Sequence, residues 1–328
     1  MNTGLKITAF AAALAATFGT AYGVGQGLDP VVADSAPAGK HAGDHAEQKS
    51  PSAPPTEEDG ARSEHETAPA GGLQISESGY TLDLKTPRVA AGQRTDLRFT
   101  VRDDSGRAVT EYRPEHDKEL HLIVASRDLV TYRHLHPTRA TDGTWSTPVD
   151  LPRAGGYRIF ADFTPAKKGA ANLTLGADLA ASGPYRPQDL PKPASTARVD
   201  GYEVSLTGSL RPGRAGELRL TVSRDGEPVT DLEPYLGAYG HLVALRSGDL
   251  AYLHVHPNGE PGDGSTEPGP DVTFTATAPS GGSYRLFLDF KHDGVVRTAA
   301  FTVRSTASAE TPAAESGAPE HAGDGHGH

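Results

Sequence analysis

Residues His121 to Pro137 read HLIVASRDLVTYRHLHP, and residues His241 to Pro257 read HLVALRSGDLAYLHVHP. The two stretches align without a gap. Identical residues stand at His121 and His241, Leu122 and Leu242, Tyr132 and Tyr252, His134 and His254, His136 and His256, and Pro137 and Pro257. Three of these six matches are histidine, the commonest metal ligand among side chains. Packing alone gives no reason to keep three imidazoles twice while the residues between them diverge. The pattern predicts a duplicated metal-binding module.

The local pattern is that of a strand pair. Leu122 and Val124 alternate with His121, Ile123 and Ala125, and the run from Val130 to His136 is a second short strand. A two-residue turn at Arg127-Asp128, or at Ser247-Gly248 in the second copy, fits a tight hairpin. That turn would set His121 directly across from His134, with Cβ atoms about 5 Å apart. His136, two residues on, points to the same face. Each hairpin is thus expected to gather its own three imidazoles: His121, His134 and His136 in one, and His241, His254 and His256 in the other.

The duplication reaches further. Val109-Thr110 and Pro114 match Val229-Thr230 and Pro234, and YRIFADF from Tyr157 matches YRLFLDF from Tyr284. Short alternating runs punctuated by Gly and Pro recur on both sides, which predicts an all-β chain of two tandem Ig-like or cupredoxin-like antiparallel β-sandwiches. The first is expected over 71–180 and the second over 197–305, joined at 181–196 by a stiff proline-rich linker containing PYRPQDLPKP.

The ends differ in character. An apolar run from Ile7 to Val24 within residues 1–32 is expected to be a cleaved signal peptide or an uncleaved membrane anchor. Residues 33–70 read as a disordered acidic tether and 306–328 as a disordered, histidine-containing tail. His321, His326 and His328 lean towards a metal-gathering role; His41, His45 and His65 read as solvated filler. Everything after the apolar segment is expected to be extracytoplasmic, with membrane contact only through that segment.

Composition narrows the chemistry. The chain has no Cys, and its single Met is Met1. Disulfides, thiolate zinc sites and blue-copper centres are excluded, as is a thioether site for Cu(I). Imidazole and carboxylate remain, which suit Cu(II), Zn(II) or Ni(II), with Cu(II) favoured over Zn(II). Asp and Glu outnumber Lys and Arg by 42 to 31, so nucleic acid is not an expected partner.

Asp162 and Asp289 occupy matched mid-strand positions between aromatic residues, an odd place for a charge. Each is either a metal ligand or an orienting partner of one, or else a surface carboxylate paired with Arg158 or Arg285. His116 aligns with Leu236 and is not duplicated; it and His292 read as surface residues. No nucleophile elbow, phosphate loop or zinc-protease helix is present, so an enzyme is not expected.

The segment from Leu232 to Val303, with LEPYLGAYGHLVALRSGDLAYLHVHP and YRLFLDFKHDGVVRTAAFTV, resembles secreted or membrane-anchored proteins of high-GC Gram-positive bacteria described as heavy-metal-binding or YtkA-like. The resemblance covers most of the chain. It implies an extracytoplasmic Ig-like or cupredoxin-like fold and a connection to metals, copper above all. His241, His254 and His256 match its pattern directly. In the first repeat RPEHDKELH stands where the second has EPYLGAYGH.

Three functions fit these observations. The first is binding of a divalent metal outside the membrane, for sequestration or for delivery to another extracytoplasmic metal-handling protein. The second is an Ig-like protein-interaction module at the cell surface. The third is a metalloenzyme with an open three-histidine site.

Overall fold

The computed structural model describes residues 70–306, apart from His254 and the side chain of His256. The N-terminal apolar segment, the tether as far as residue 69, and the tail from residue 307 lie outside the described residues. With them go His41, His45, His65, His321, His326 and His328. Among the described residues every regular element is a strand, and no helix is long and apolar enough to cross a membrane.

The first repeat contains β1 (Ser76–Glu77), β2 (Tyr80–Leu84), β3 (Arg88–Ala90), β4 (Arg94–Arg102), β5 (Tyr112–Arg113), β6 (Leu120–Ser126), β7 (Tyr132–Leu135), β8 (Thr138–Arg139), β9 (Thr144–Asp150), β10 (Gly155–Pro165) and β11 (Leu173–Ser182). The second contains β12 (Thr196–Val199), β13 (Tyr202–Gly208), β14 (Ala215–Arg224), β15 (Glu227–Pro228), β16 (His241–Arg246), β17 (Tyr252–Leu253), β18 (His256–Pro257), β19 (Asp271–Thr277), β20 (Gly282–His292) and β21 (Val295–Ser305).

Each repeat is a two-sheet sandwich. One sheet runs β1-β2-β4-β9-β8 in the first repeat and β12-β13-β14-β19-β18 in the second. The other runs β3-β11-β10-β6-β7 and β21-β20-β16-β17. Matched strands occur in matched order, so the duplication seen in the hairpins is a duplication of the fold. Pairing is antiparallel except for β3, which lies parallel to β11.

Alternation explains the sheets that face water on one side. In β4, Leu97, Phe99 and Val101 are fully buried while Asp96 and Arg98 are exposed. Strands β6, β10, β16 and β20 depart from this and are buried on both faces. In β6, Leu120, Leu122 and Val124 enter the core of their own sandwich. Ile123 and Ala125, on the opposite face, join Tyr132 and Phe160 in a separate cluster with Val243, Leu245, Tyr252 and Phe287 of the second repeat. Tyr132 stacks on Phe287 with ring centroids 4.0 Å apart. The two repeats are therefore not beads on a stiff linker; their inner sheets share a third apolar core. Leu190 of the connecting segment packs against it.

The hairpin turns are longer than the expected two residues. Ser126 N–H donates to Thr131 O at 2.9 Å, and Arg246 N–H donates to Ala251 O at 2.9 Å. Each loop thus spans 127–130 or 247–250. The cause is Leu129 and Leu250, which adopt left-handed φ values of 57° and 64° and are 1% and 0% exposed within the shared core. Burial of two leucines offsets the local strain. The register moves by two, so His134 pairs with Ile123 rather than His121. A shift of two preserves facing, and His121 and His134 remain on one face as diagonal neighbours.

Candidate metal centre

The odd positions of β6 and β16 carry His121 and His241 onto the inner face, where the two repeats meet. His134 comes from β7, and His136 follows just beyond its end. Ligand nitrogens of His121, His134 and His241 lie within 4.8 Å of one another. Among the described residues the histidine group draws on both repeats at once, His121 and His134 from one hairpin and His241 from the other. The shared core that packs the inner sheets together forces this. His136 belongs to the cluster, its ring centroid 4.8 Å from His134 and 5.2 Å from His121. His254 lies outside the described residues, and His256 is described only through its backbone, which pairs with Thr275.

Hydrogen bonds fix the tautomers. His121 Nε2 lies 3.0 Å from the Glu115 carbonyl oxygen, which can only accept, so Nε2 carries the proton and Nδ1 the lone pair. His134 Nδ1 donates to Asp289 Oδ2 at 2.8 Å, which leaves the lone pair of the neutral ring on Nε2. These two lone-pair nitrogens, His121 Nδ1 and His134 Nε2, face each other at 3.2 Å. Two neutral rings in this state repel. A cation between them, a proton or a metal ion, converts the repulsion into attraction.

Burial keeps imidazoles neutral and fit to ligate. It lowers His121 to about 4, against the opposing effect of the Glu115 carbonyl. Burial, then the neighbouring His134 and His121, lower His136 to about 3. His241 is held well below its ordinary value by burial and then by the other histidines. His136 Nε2 and His241 Nδ1 are buried without a hydrogen-bond partner among the described residues.

Asp289 is 2% exposed. Besides holding His134 it accepts from Thr298 Oγ1 at 2.5 Å. Asp162, 6% exposed, accepts from Asn172 Nδ2 at 2.8 Å and from Tyr252 at 3.4 Å. Neither is a surface carboxylate. Arg158 instead clamps the segment leading into the first repeat, donating to the Gly72 and Leu73 carbonyls and to Asp178. Gly176 permits that segment to lie close, since a Cβ there would sit 2.0 Å from the Gly72 oxygen. Arg285 donates to Thr302 Oγ1.

Two histidines read as surface residues are placed otherwise. His292 is 8% exposed, bonded through Nδ1 to Tyr202 and through Nε2 to Asp231. His116 is half-buried, its ring centroid 6.1 Å from His121 and 5.9 Å from His241. Duplication was the signal that found the other histidines, and it passes over His116 because Leu236 stands at the matching position. Tyr235, also outside the duplicated set, comes within 6.5 Å of His134 and 6.2 Å of His136, measured between ring centroids.

A duplicated β-sandwich chain with a histidine group at the seam of its repeats is the class these observations define. The chain belongs to the family described as Domain of unknown function (DUF8832), which matches residues 75–175 and 197–307. No curated protein matches the chain. Among solved structures, the Escherichia coli adhesin FdeC is 18% identical, over 70% of this chain and 65% of its own, with a TM-score of 0.22. A Salmonella alpha-2-macroglobulin is 12% identical, over 73% of this chain and 15% of its own, with a TM-score of 0.25. The D0-D1 domain of Intimin is 10% identical, over 68% and 96%, with a TM-score of 0.20. This chain spans less than two thirds of the length of the first two.

Proposed function

We infer that the chain binds a divalent metal ion, Cu(II) in preference to Zn(II), at a single site built across its two repeats. The observation that carries this reading is the approach of His121 Nδ1 and His134 Nε2 to 3.2 Å, with His241 in the same group. Two nitrogens that far apart, each about 2.0–2.1 Å from one ion, subtend an angle of about 100°, close to tetrahedral. His241 supplies the third nitrogen. A tetrahedral ion keeps its nitrogens about 3.4 Å apart, so the set would close by roughly an ångström on binding. His136 stands ready as a further ligand. His254 and His256 join the proposed set on the duplicated motif, and Asp289 and Asp162 serve as orienting carboxylates. Imidazole ligands favour Cu(II) over the other divalent ions.

On this reading the protein is a binding protein rather than an enzyme. It works outside the membrane, sequestering metal or passing it to another metal-handling protein. Titration of the full chain with Cu(II), compared with His134→Ala and His241→Ala, tests it. The unmodified chain should bind tightly at neutral pH and both variants should lose that binding. A chain that takes up less than one equivalent of any divalent metal would sink the proposal.

The second reading, an Ig-like interaction module at the cell surface, draws on the sandwich fold. It expects partner binding to survive both histidine substitutions.

A further inference from the structure

We propose that His116 is the exchange ligand of this centre, the side chain through which a divalent cation passes between solvent and the His121–His134–His241 group. This rests on the metal-binding reading above.

His116 and Asp117 are the central residues of a tight turn closed by reciprocal hydrogen bonds between Glu115 and Lys118. Their φ values of 49° and 63° are both left-handed, as a type I′ turn requires. The second repeat builds the same turn from Tyr235 to Ala238, with Leu236 and Gly237 at φ values of 58° and 71°. The two turns meet over the histidine group: a Cβ on Gly237 would lie 3.9 Å from the His116 Cα.

At this otherwise duplicated position the repeats differ. Leu236 is 6% exposed and apolar, and so closes its side. His116 is half-buried, reaches water, and turns its ring edge-on to both His121 and His241. A cavity at this point has His116, His121, Asp162 and His241 in its wall, together with Glu115 and Lys118 of the turn. His121 is buried, and so is the unpartnered His241 Nδ1. An ion bound by them needs a ligand that also touches solvent, since bare release of an imidazole-bound cation from a buried site is slow. The half-buried His116 imidazole, beside the buried His121 and the buried Nδ1 of His241, supplies that step. A pseudo-symmetric centre thereby gains one polar mouth, on the side of the first repeat.

The test uses the full chain loaded with Cu(II), and follows transfer to excess EDTA by stopped-flow absorbance. His116→Leu copies the residue that the second repeat carries in the same backbone conformation. His116→Asn tolerates a left-handed φ and removes the imidazole. Both variants should keep the copper stoichiometry of the unmodified chain and slow its transfer by about tenfold, the scale on which loss of a supporting group acts at metal sites. Transfer at an unchanged rate in both variants would overturn the proposal. So would loss of stoichiometric copper, which would make His116 a resident ligand. An unmodified chain that binds no copper fails at the earlier step and removes the metal-binding reading itself.

Discussion

His134 Nδ1 lies 2.8 Å from Asp289 Oδ2, and the two side chains, each 2% exposed, belong to different repeats. The bond does two things at once. It aims His134 Nε2 at His121 Nδ1, 3.2 Å away, and it ties the first repeat to the second through a buried polar contact. Thr298 holds the second carboxylate oxygen, so the carboxylate is fixed from both sides.

Replacing Asp289 by Asn keeps the size and one acceptor but removes the charge. Loss of a carboxylate behind a ligating histidine costs about 10–100-fold in metal affinity. Asp289→Asn should therefore weaken Cu(II) binding by about that factor while leaving the stoichiometry intact. Competition against a chelator of known affinity measures it. An unchanged dissociation constant would mean that Asp289 does not orient a ligand.

The shared core predicts that the repeats unfold together. The chain has one Trp, Trp145, which is 2% exposed in the first sandwich and donates to Tyr112 at 3.2 Å. Its fluorescence reports on the first repeat alone, whereas far-UV circular dichroism reports on both. Coincident denaturant midpoints are expected. Two separated transitions would show that the cluster of Ile123, Tyr132, Phe160, Val243, Tyr252 and Phe287 does not couple the halves.

Phe287 is the test point for that coupling. It is 2% exposed and stacked nearly parallel on Tyr132. Phe287→Ala should cost about 3–5 kcal/mol of stability, as large-to-small changes in a core do. It should also weaken copper binding, because the centre needs residues from both sides of the seam. Urea unfolding and copper titration of the same variant check the two halves of this expectation. Lost stability with full metal affinity would separate the centre from the interface.

Much of the fold was legible in the sequence because each repeat writes it in period two. Runs such as LRFTV in β4 and LRLTV in β14 show alternation, and the repetition of YR-x-F-x-DF fixes β10 and β20 as counterparts. The joining of the two halves was harder to see. Ile123, Phe160, Val243 and Phe287 look like ordinary strand residues, and only their burial on the second face reveals a partner sheet. The odd mid-strand carboxylates were the available clue. Asp162 and Asp289 are unreasonable on a free surface between aromatics but sensible facing a seam. The four-residue loops are not legible in the sequence, because Leu129 and Leu250 take left-handed conformations that their chemistry does not advertise; tertiary burial, not turn propensity, sets them there. His116 carries no such signal, because it breaks the symmetry that marks its neighbours.

Acid should destabilise the metal-free protein in the histidine range. In the unfolded chain His121 titrates near 6.5; in the folded protein burial lowers it to about 4. His136 falls to about 3 and His241 well below its ordinary value for the same first reason. A lowered histidine binds its proton more readily in the unfolded chain. Stability is therefore full above about pH 6.5 and declines as pH falls from there toward the folded values. Each of these histidines adds to the slope in that window. Depressed carboxylates such as Asp128 and Asp249, with ordinary values of 3.8, lose their contribution only at lower pH, so the two effects separate. Urea unfolding with EDTA present, at steps from pH 7.5 to 4.5, measures the slope. His121→Gln should flatten it while keeping a donor for the Glu115 carbonyl. Bound metal should steepen the decline, because protonation then competes with ligation. A metal-free protein whose stability is level from pH 6.5 to 4.5 would show that these imidazoles are not buried in their neutral form, and the ligand set drawn from them would fall with that result.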